Sequence, residues 1–375
     1  MRTVARKLHP ARWQSVVDLA NTFCESSKIP CIAIATGTDS TIEGLAHVGR
    51  QQPDAPAPLR DDAIFLVASI TKPIVAMAVM QLIERGCFSL VDRVVDFIPE
   101  FGRQGKYGTE IRHLLTHTSG LPDMLPDNVE LRKNHATLKR FVERTCEEAP
   151  AFSPGKGVQY QSMGIAVLGE IIGRVSGKTC AQYLQDEFFQ PLGLRDTALG
   201  APDDWFDGAA PKIDRVPAAV LMEEQAAGTD WTWNSRYWRQ LGAPWGGLLT
   251  SATDLSGYAQ FMLRRGSTID GRRLLAPATI EAATRNQFEC MRDIAEFERR
   301  CRPWGLGWRM DWPAHSSNFG DLLGPRAYGH WGATGTVLWI DPDAGTFAMI
   351  LTTLPQDLSG KYISRLSNAI VAAWE

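Results

Sequence analysis

Apolar residues recur at helical spacing over residues 12–24, through Trp13, Val16, Val17 and Leu19, and predict an amphipathic helix. Two β-rich runs follow at 31–36 and 41–48 around Gly37-Thr38-Asp39-Ser40, the pattern of a hairpin. The other end of the chain mirrors this. Runs at 335–340 and 346–351 flank Asp341-Pro342-Asp343-Ala344-Gly345, whose Pro and Gly suit a tight reversal, and 359–374 predicts a closing helix. Between the two ends lie helical patterns at 70–85, 131–146, 164–175, 180–188 and 253–263, separated by Gly- and Pro-rich loops. There is no internal repeat, and the Pro-rich loop at 51–59 is too short to be an interdomain linker.

Strands at both ends with helices between them predict an α/β (α+β) fold. One antiparallel β-sheet is assembled from the two ends of the chain, flanked by the N- and C-terminal helices, and a mostly helical region is inserted in sequence. Residues 1–375 are expected to form a single unit, with an α/β part at 1–65 and 325–375 and a mostly helical part at 66–324. A cleft between the parts is the natural place for a site.

Composition narrows the function classes. A hydrophobic fraction of 44% with 22% charged residues matches an ordinary globular chain, which argues against extensive disorder. The net charge of -3, with no run of Lys and Arg, gives nothing to neutralise a row of phosphates, so nucleic acid is not expected as a partner. No stretch approaches the roughly 20 apolar residues of a membrane span, since the run at 75–83 is interrupted by Gln81 and followed by Glu84 and Arg85. The first 20 residues have no apolar core of signal-peptide length. Seven scattered cysteines without a Cys-x-x-Cys pair indicate neither a zinc site nor a disulfide framework. A cytoplasmic protein with reduced thiols, no cofactor and no metal is therefore expected. Oligomeric state has no signature here.

The chemistry begins at Ser69-Ile70-Thr71-Lys72. Residues three apart at the start of a helix share a face, so the amine reaches the hydroxyl. Ser153-Pro154-Gly155-Lys156 has the same spacing, but Pro154 and Gly155 favour a turn that separates the two side chains. Ser69 has the better context. It follows an apolar approach segment at 62–68 and opens a helix that is apolar nearly all round, hence buried, with Pro73 tolerable only in the opening turn. The bland alternative makes Ser69 a helix cap and Lys72 an exposed lysine.

Two further segments weigh against the bland alternative. Tyr160-Gln161-Ser162 lies at a loop-to-helix junction, where a tyrosine can relay a proton. A tyrosine holds its proton to about pH 10 and needs a neighbouring cation to act as a base, a part Lys72 could play. Equally, a desolvated Lys72 could be the base and Tyr160 the donor to the leaving group. His330-Trp331-Gly332-Ala333-Thr334-Gly335 precedes the strand at 336–340, and its small residues would let a substrate lie against the backbone. Thr116, His117 and Ser119 sit too close together on a turn to form a triad and are read as structural support.

Ser69-x-x-Lys72, Tyr160-x-Ser162 and His330-x-Gly332, in this order, resemble the serine β-lactamase and penicillin-binding family, particularly the branch of class C β-lactamases, esterases and D-peptidases. Leu114-Leu115-Thr116-His117-Thr118-Ser119-Gly120-Leu121 and the segment from Gly246-Gly247 to Asp254-Leu255 are similar to segments of that branch, so the likeness runs over about 63–354. It implies the fold read above, acylation of Ser69 with Lys72 and Tyr160 managing its proton, and hydrolysis of the acyl-enzyme. It also implies an oxyanion hole formed by the N–H groups of Ser69 and Ala333, and a substrate-binding edge made of Ser162, His330, Trp331 and Gly332.

The chain departs from the usual Tyr-x-Asn and Lys-Thr-Gly of the branch's β-lactamases at Ser162 and at His330-Trp331. A histidine only partly charged near neutral pH grips a substrate carboxylate less firmly than a lysine. The expected substrate is therefore a small carboxylic ester or amide, with a β-lactam or a D-amino-acid peptide as the alternative. Aromatic residues at Trp231, Trp233, Tyr237, Trp238 and Trp245, and at Trp304, Trp308 and Trp312, could line an acyl pocket, though core packing is the plainer reading. From another class, a non-catalytic homologue using the cleft to bind a peptide or scaffold partner remains, against which stand Ser69, Lys72 and Tyr160. A metal hydrolase is disfavoured, because the seven histidines show no His-x-x-x-His spacing.

Overall fold

The hydrophobic runs at the two ends of the chain meet in one antiparallel sheet of six strands, in the order β2-β1-β9-β8-β7-β6. These are β1 (Cys31–Gly37), β2 (Ile42–Gly49), β6 (Arg309–Met310), β7 (Tyr328–Gly332), β8 (Thr336–Asp341) and β9 (Thr346–Thr352). The structure is a computed structural model describing residues 6–26, 29–52, 56–221, 225, 229–310, 319–355 and 361–375. Trp312 and the first two positions of the expected closing helix lie outside the described residues.

β1 and β9 are buried along their whole length because both faces are covered, yet their side chains still alternate. Ile32, Ile34, Ala348 and Ile350 face one core, with Val16, Ala20 and Phe23 of helix α1 (Pro10–Ser26) and Ile363, Leu366 and Ile370 of the helix Lys361–Ala372. Ala33, Ala35, Phe347, Met349 and Leu351 face a larger core shared with the inserted helices. Two indole N–H groups fasten the C-terminal end: Trp339 Nε1 donates to Ser367 Oγ at 2.8 Å and Trp374 Nε1 to Thr36 Oγ1 at 3.1 Å.

The inserted region is built around helix α2 (Thr71–Glu84), in which every residue from Thr71 to Leu82 is buried. Its apolar-all-round pattern made that burial legible, and Pro73 sits in the first turn, where no intrahelical N–H bond is lost. A second sheet, which the sequence does not announce, lies beside it: β3 (Ile64–Leu66), β5 (Leu248–Ser251) and β4 (Ala198–Leu199), in the order β3-β5-β4. The β3–β5 pairing carries the segment before Ser69 alongside the segment after Trp245.

Two elements differ from expectation. The run at 131–146 is two helices, Asn128–Lys133 and Leu138–Glu147, separated where His135 takes a left-handed φ of 49° and Thr137 caps the second helix on Arg140 N–H. The run at 180–188 is α-helical over Cys180–Leu184 and continues as a π turn over Gln185–Phe189. The His330 segment leads into the expected strand, β8, with residues 330–332 on strand β7, paired with β8 from Tyr328↔Ile340 to Gly332↔Thr336, and 333–335 as the turn between them. No helix among the described residues is long and apolar enough to cross a membrane.

Candidate active site

Between β3 and α2 the chain turns through a short 3-10 segment, Ala68–Ile70, in which Ala68 holds a φ of 46°. A left-handed non-glycine residue costs on the order of 1–3 kcal/mol, which the surroundings must hold in place. Thr71 Oγ1 does so by donating to the Ala68 carbonyl at 2.6 Å and accepting Leu248 N–H at 3.1 Å. The turn leaves Ser69 half-buried at the mouth of the helix, while Lys72, one turn on, is 1% exposed. Lys72 Nζ donates to Ser69 Oγ at 2.8 Å and to the Trp245 carbonyl at 2.8 Å. The expected Ser69–Lys72 contact is therefore present, and its second anchor comes from the β5 side.

Tyr160 lies just before the helix Met163–Ser176, with Lys72 Nζ 4.8 Å from its ring centroid. Its loop is fixed by buried neighbours. Gln161 N–H donates to His117 Nδ1 at 3.1 Å, and the Gln161 amide donates to the His113 and Leu114 carbonyls at 3.2 and 3.0 Å. Ser119 Oγ donates to the Gln161 side-chain carbonyl, so the Thr116–Gly120 turn has the supporting part assigned to it. Ser162 is buried, and its hydroxyl donates to Asp123 Oδ1 at 2.5 Å. That bond turns Ser162 to a neighbouring carboxylate.

Strand β7 approaches from the other side. Thr334 Oγ1 donates to the Leu66 carbonyl at 2.6 Å and Thr336 Oγ1 to the Val67 carbonyl at 3.0 Å, which bolts the β7–β8 turn to the segment before Ser69. A Cβ at Gly332 would lie 2.3 Å from Val67 O and 2.4 Å from Thr336 Oγ1. Gly332 is thus needed for this internal contact, a reason for a glycine that the sequence does not show. Ala333 is exposed at the tip of the turn. Ser69 N–H lies in the first turn of its helical segment, where backbone donors have no intrahelical partner.

His330 corrects an expectation. It is fully buried, and its Nδ1 lies 2.6 Å from the Trp331 carbonyl. A carbonyl only accepts, so Nδ1 carries the proton and Nε2 is left with a lone pair. His117, whose Nδ1 accepts, carries its proton on Nε2 by the same reasoning. Neither Nε2 has a hydrogen-bond partner among the described residues. Burial holds both imidazoles well below the usual histidine range, and the charges of Arg309 and Lys72 add to it. The third motif therefore presents a neutral histidine.

This has a measurable consequence. An unfolded chain protonates its histidines near pH 6.5, whereas the folded chain resists protonating these two. Below that pH the unfolded state binds more protons, so stability is full above about pH 6.5 and is lost as pH falls, at up to about 1.4 kcal/mol per pH unit for each histidine. His113, pushed down to about 4 mainly by burial, adds loss in the same direction. Urea midpoints at pH 7.5 and 5.5 should show the drop, reduced in His330→Gln; a flat profile would contradict buried neutral imidazoles.

The residue that sequence reading missed is Arg309, on edge strand β6 opposite Gly329. Its guanidinium carbon lies 3.4 Å from the ring centroid of Trp331, 4.5 Å from Trp304 and 5.0 Å from Tyr160, and it hydrogen-bonds to Tyr160. Burial pulls it down to about 9, so it stays cationic at neutral pH. Its one signal in the sequence is a charge inside the apolar run Gly305-Leu306-Gly307-Trp308-Arg309-Met310. Of the expected aromatic clusters, Trp304 joins the site, 4.2 Å from His117 and 6.0 Å from both Tyr160 and His330 between ring centroids. Trp231, Trp233, Trp238 and Trp308 are buried in the core. Among the described residues no cluster of three or more His, Cys, Asp or Glu is placed to hold a metal ion.

The arrangement joins a reachable hydroxyl, a buried amine touching it and a phenol beside the amine. Comparison with known proteins gives the family and the fold. The family described as Beta-lactamase matches residues 17–369. Esterase EstB of Burkholderia gladioli is 31% identical, covering 96% of this chain and 95% of its own. Penicillin-binding protein 4 of Amycolatopsis lactamdurans is 29% identical over 91% of this chain and 84% of its own. Among solved structures, a penicillin-binding protein homologue from Caulobacter crescentus superposes with a TM-score of 0.79 at 23% identity, covering 99% and 100% of the two chains. A family VIII carboxylesterase gives 0.77 at 19%, covering 98% and 100%. At those identities the two structures speak for the fold.

Proposed function

The chain belongs to the β-lactamase family of serine hydrolases, and from that premise we propose that it hydrolyses a small carboxylic ester through an acyl-enzyme on Ser69. Ser69 Oγ attacks the ester carbonyl while its proton passes to the Lys72–Tyr160 pair, with the Tyr160 oxygen as the acceptor. Lys72 is read as the cationic partner because its Nζ faces two acceptors, Ser69 Oγ and the Trp245 carbonyl. The oxyanion of the tetrahedral intermediate is held by the N–H groups of Ser69 and Ala333, each donor contributing a few kcal/mol. Collapse breaks the bond to the alcohol oxygen, which leaves with the proton held by Tyr160. Water then attacks the acyl-enzyme by the same route in reverse and releases the acid.

The observation that carries the ester preference is the state of His330. It is buried, and its single N–H is committed to the Trp331 carbonyl, so the third motif offers no charge to a substrate carboxylate. The 31% identity to an esterase over 96% of the chain supports the same reading. Ser162, with its hydroxyl on Asp123, is read as supporting the Tyr160 loop, and Trp331, Gly332 and Ala333 as the edge beside the acyl group. The seven cysteines are free, which supports a reducing, cytoplasmic setting, and the family match over residues 17–369 supports reading the chain as one catalytic unit.

The test is a comparison of kcat/KM for a short-chain p-nitrophenyl ester and a chromogenic cephalosporin. We expect the ester to exceed the lactam by at least about tenfold, the scale on which one unmatched pocket contact discriminates. Faster lactam hydrolysis would reverse the preference. Absence of Ser69-dependent turnover of both would leave a non-catalytic binding protein.

A further inference from the structure

We infer that Arg309 is a positioning residue for Tyr160, supplying from strand β6 the second cation that the third motif of this chain does not carry. The inference rests on the acyl-enzyme reading above. In the related β-lactamases that motif holds a lysine; here it holds His330, whose only N–H is turned to the Trp331 carbonyl. One strand further out, opposite Gly329, Arg309 brings a guanidinium beside that motif. Its guanidinium carbon is close to the rings of Trp331, Trp304 and Tyr160, and it donates to the Tyr160 oxygen. A planar guanidinium can stack on rings and still donate at its edge, which an ammonium cannot do as well.

The backbone is arranged to hold it there. Trp304 and Arg309 form a bridge, closed by Gly305 N–H on the Trp308 carbonyl. Gly307, at a φ of 79°, seats this turn on helix α2: a Cβ there would come 2.3 Å from Ala76 Cβ, and Gly307 N–H donates to the Leu115 carbonyl. The turn that carries Arg309 is thus braced against the helix that carries Lys72.

Lys72 approaches the Tyr160 ring from α2 and Arg309 from β6, and the Asp123 carboxylate, which also accepts from Ser162, acts on Arg309 from the neighbouring loop. His117 and His330, the other titratable groups facing Arg309, are neutral. The Arg309 hydrogen bond holds the Tyr160 phenol in place beside Lys72, and substituting Arg309 removes a charge at hydrogen-bond range from the phenol oxygen.

The test uses full-length Arg309→Gln and Arg309→Lys. Two readouts are taken: the pH profile of kcat/KM for the ester, and the tyrosinate ultraviolet difference signal that Tyr160→Phe removes. In Arg309→Gln both the acid limb and the tyrosinate signal should move to higher pH by about one unit or more, while Arg309→Lys, which keeps the charge but loses the stacked donor, should fall between glutamine and wild type. A loss of activity equal at every pH, with the tyrosinate signal unmoved, would overturn the inference and leave Arg309 a packing residue. If wild type shows no Ser69-dependent turnover, the hydrolase reading fails, and the spectroscopic arm still decides the part of Arg309. Should the glutamine variant not fold, Arg309→Met, which keeps an unbranched stem against the rings, carries the same comparison.

Discussion

Replacing Ser69 with alanine should lower kcat/KM for ester hydrolysis by on the order of 10⁴-fold or more, with the fold intact. The size follows from the chemistry. Without Oγ there is no acyl-enzyme, and what remains is the catalysis that an oxyanion hole and binding give to a water molecule. The intact fold follows from the contacts. Ser69 Oγ is one of two acceptors for Lys72 Nζ, and the other, the Trp245 carbonyl, stays in place. The turn at Ala68 is held by Thr71 and the β7–β8 hydroxyls, none of which touches Oγ. A melting temperature within a few degrees of wild type, measured beside steady-state kinetics, separates lost chemistry from lost structure. Substantial turnover by the alanine variant would place the nucleophile elsewhere.

Lys72→Met should cost about 10²–10⁴-fold in kcat, the usual range for removing a proton-transfer partner, while leaving stability unchanged or raised. Activity and stability part company because of where the ammonium sits. Lys72 is 1% exposed in an apolar helix between Thr71 and Ile74, and its hydrogen-bond partners are neutral oxygens. Removing a buried charge that has no carboxylate partner relieves desolvation, and a methionine of similar length fills the space. Against this, the Trp245 carbonyl loses its donor, at about 1–3 kcal/mol if it stays dry. Urea denaturation of the variant measures the balance. A variant several kcal/mol less stable would make Lys72 a structural anchor.

The terminal sheet was legible in the sequence because its signals are local: alternation, a Gly-rich turn, and an amphipathic helix at each end. Helix α2 was legible because burial all round leaves a run of apolar residues and a proline tolerated only at its start. The Ser69–Lys72 contact followed from helical spacing, and Tyr160 from its order along the chain. What escaped depends on contacts between distant segments. Strand β7 was not read from the sequence, and Gly329 and Gly332 are glycines there because Leu338 O and Val67 O press against them. His330 looked half-charged because nothing in the sequence reveals a fully buried ring. The break at His135 lies inside an unbroken apolar period and shows only as a cap at Thr137. Arg309, between Trp308 and Met310, gains its meaning only when β6 pairs with β7.

The central claim is that Ser69 becomes acylated, and the most direct measurement is intact-mass and peptide-level spectrometry after brief mixing with an activated short-chain ester. The account predicts a mass increase of one acyl group, carried by a peptide containing Ser69, decaying as product forms and missing in Ser69→Ala. An acyl group on another residue, or ester turnover that survives in Ser69→Ala without an adduct, would contradict it.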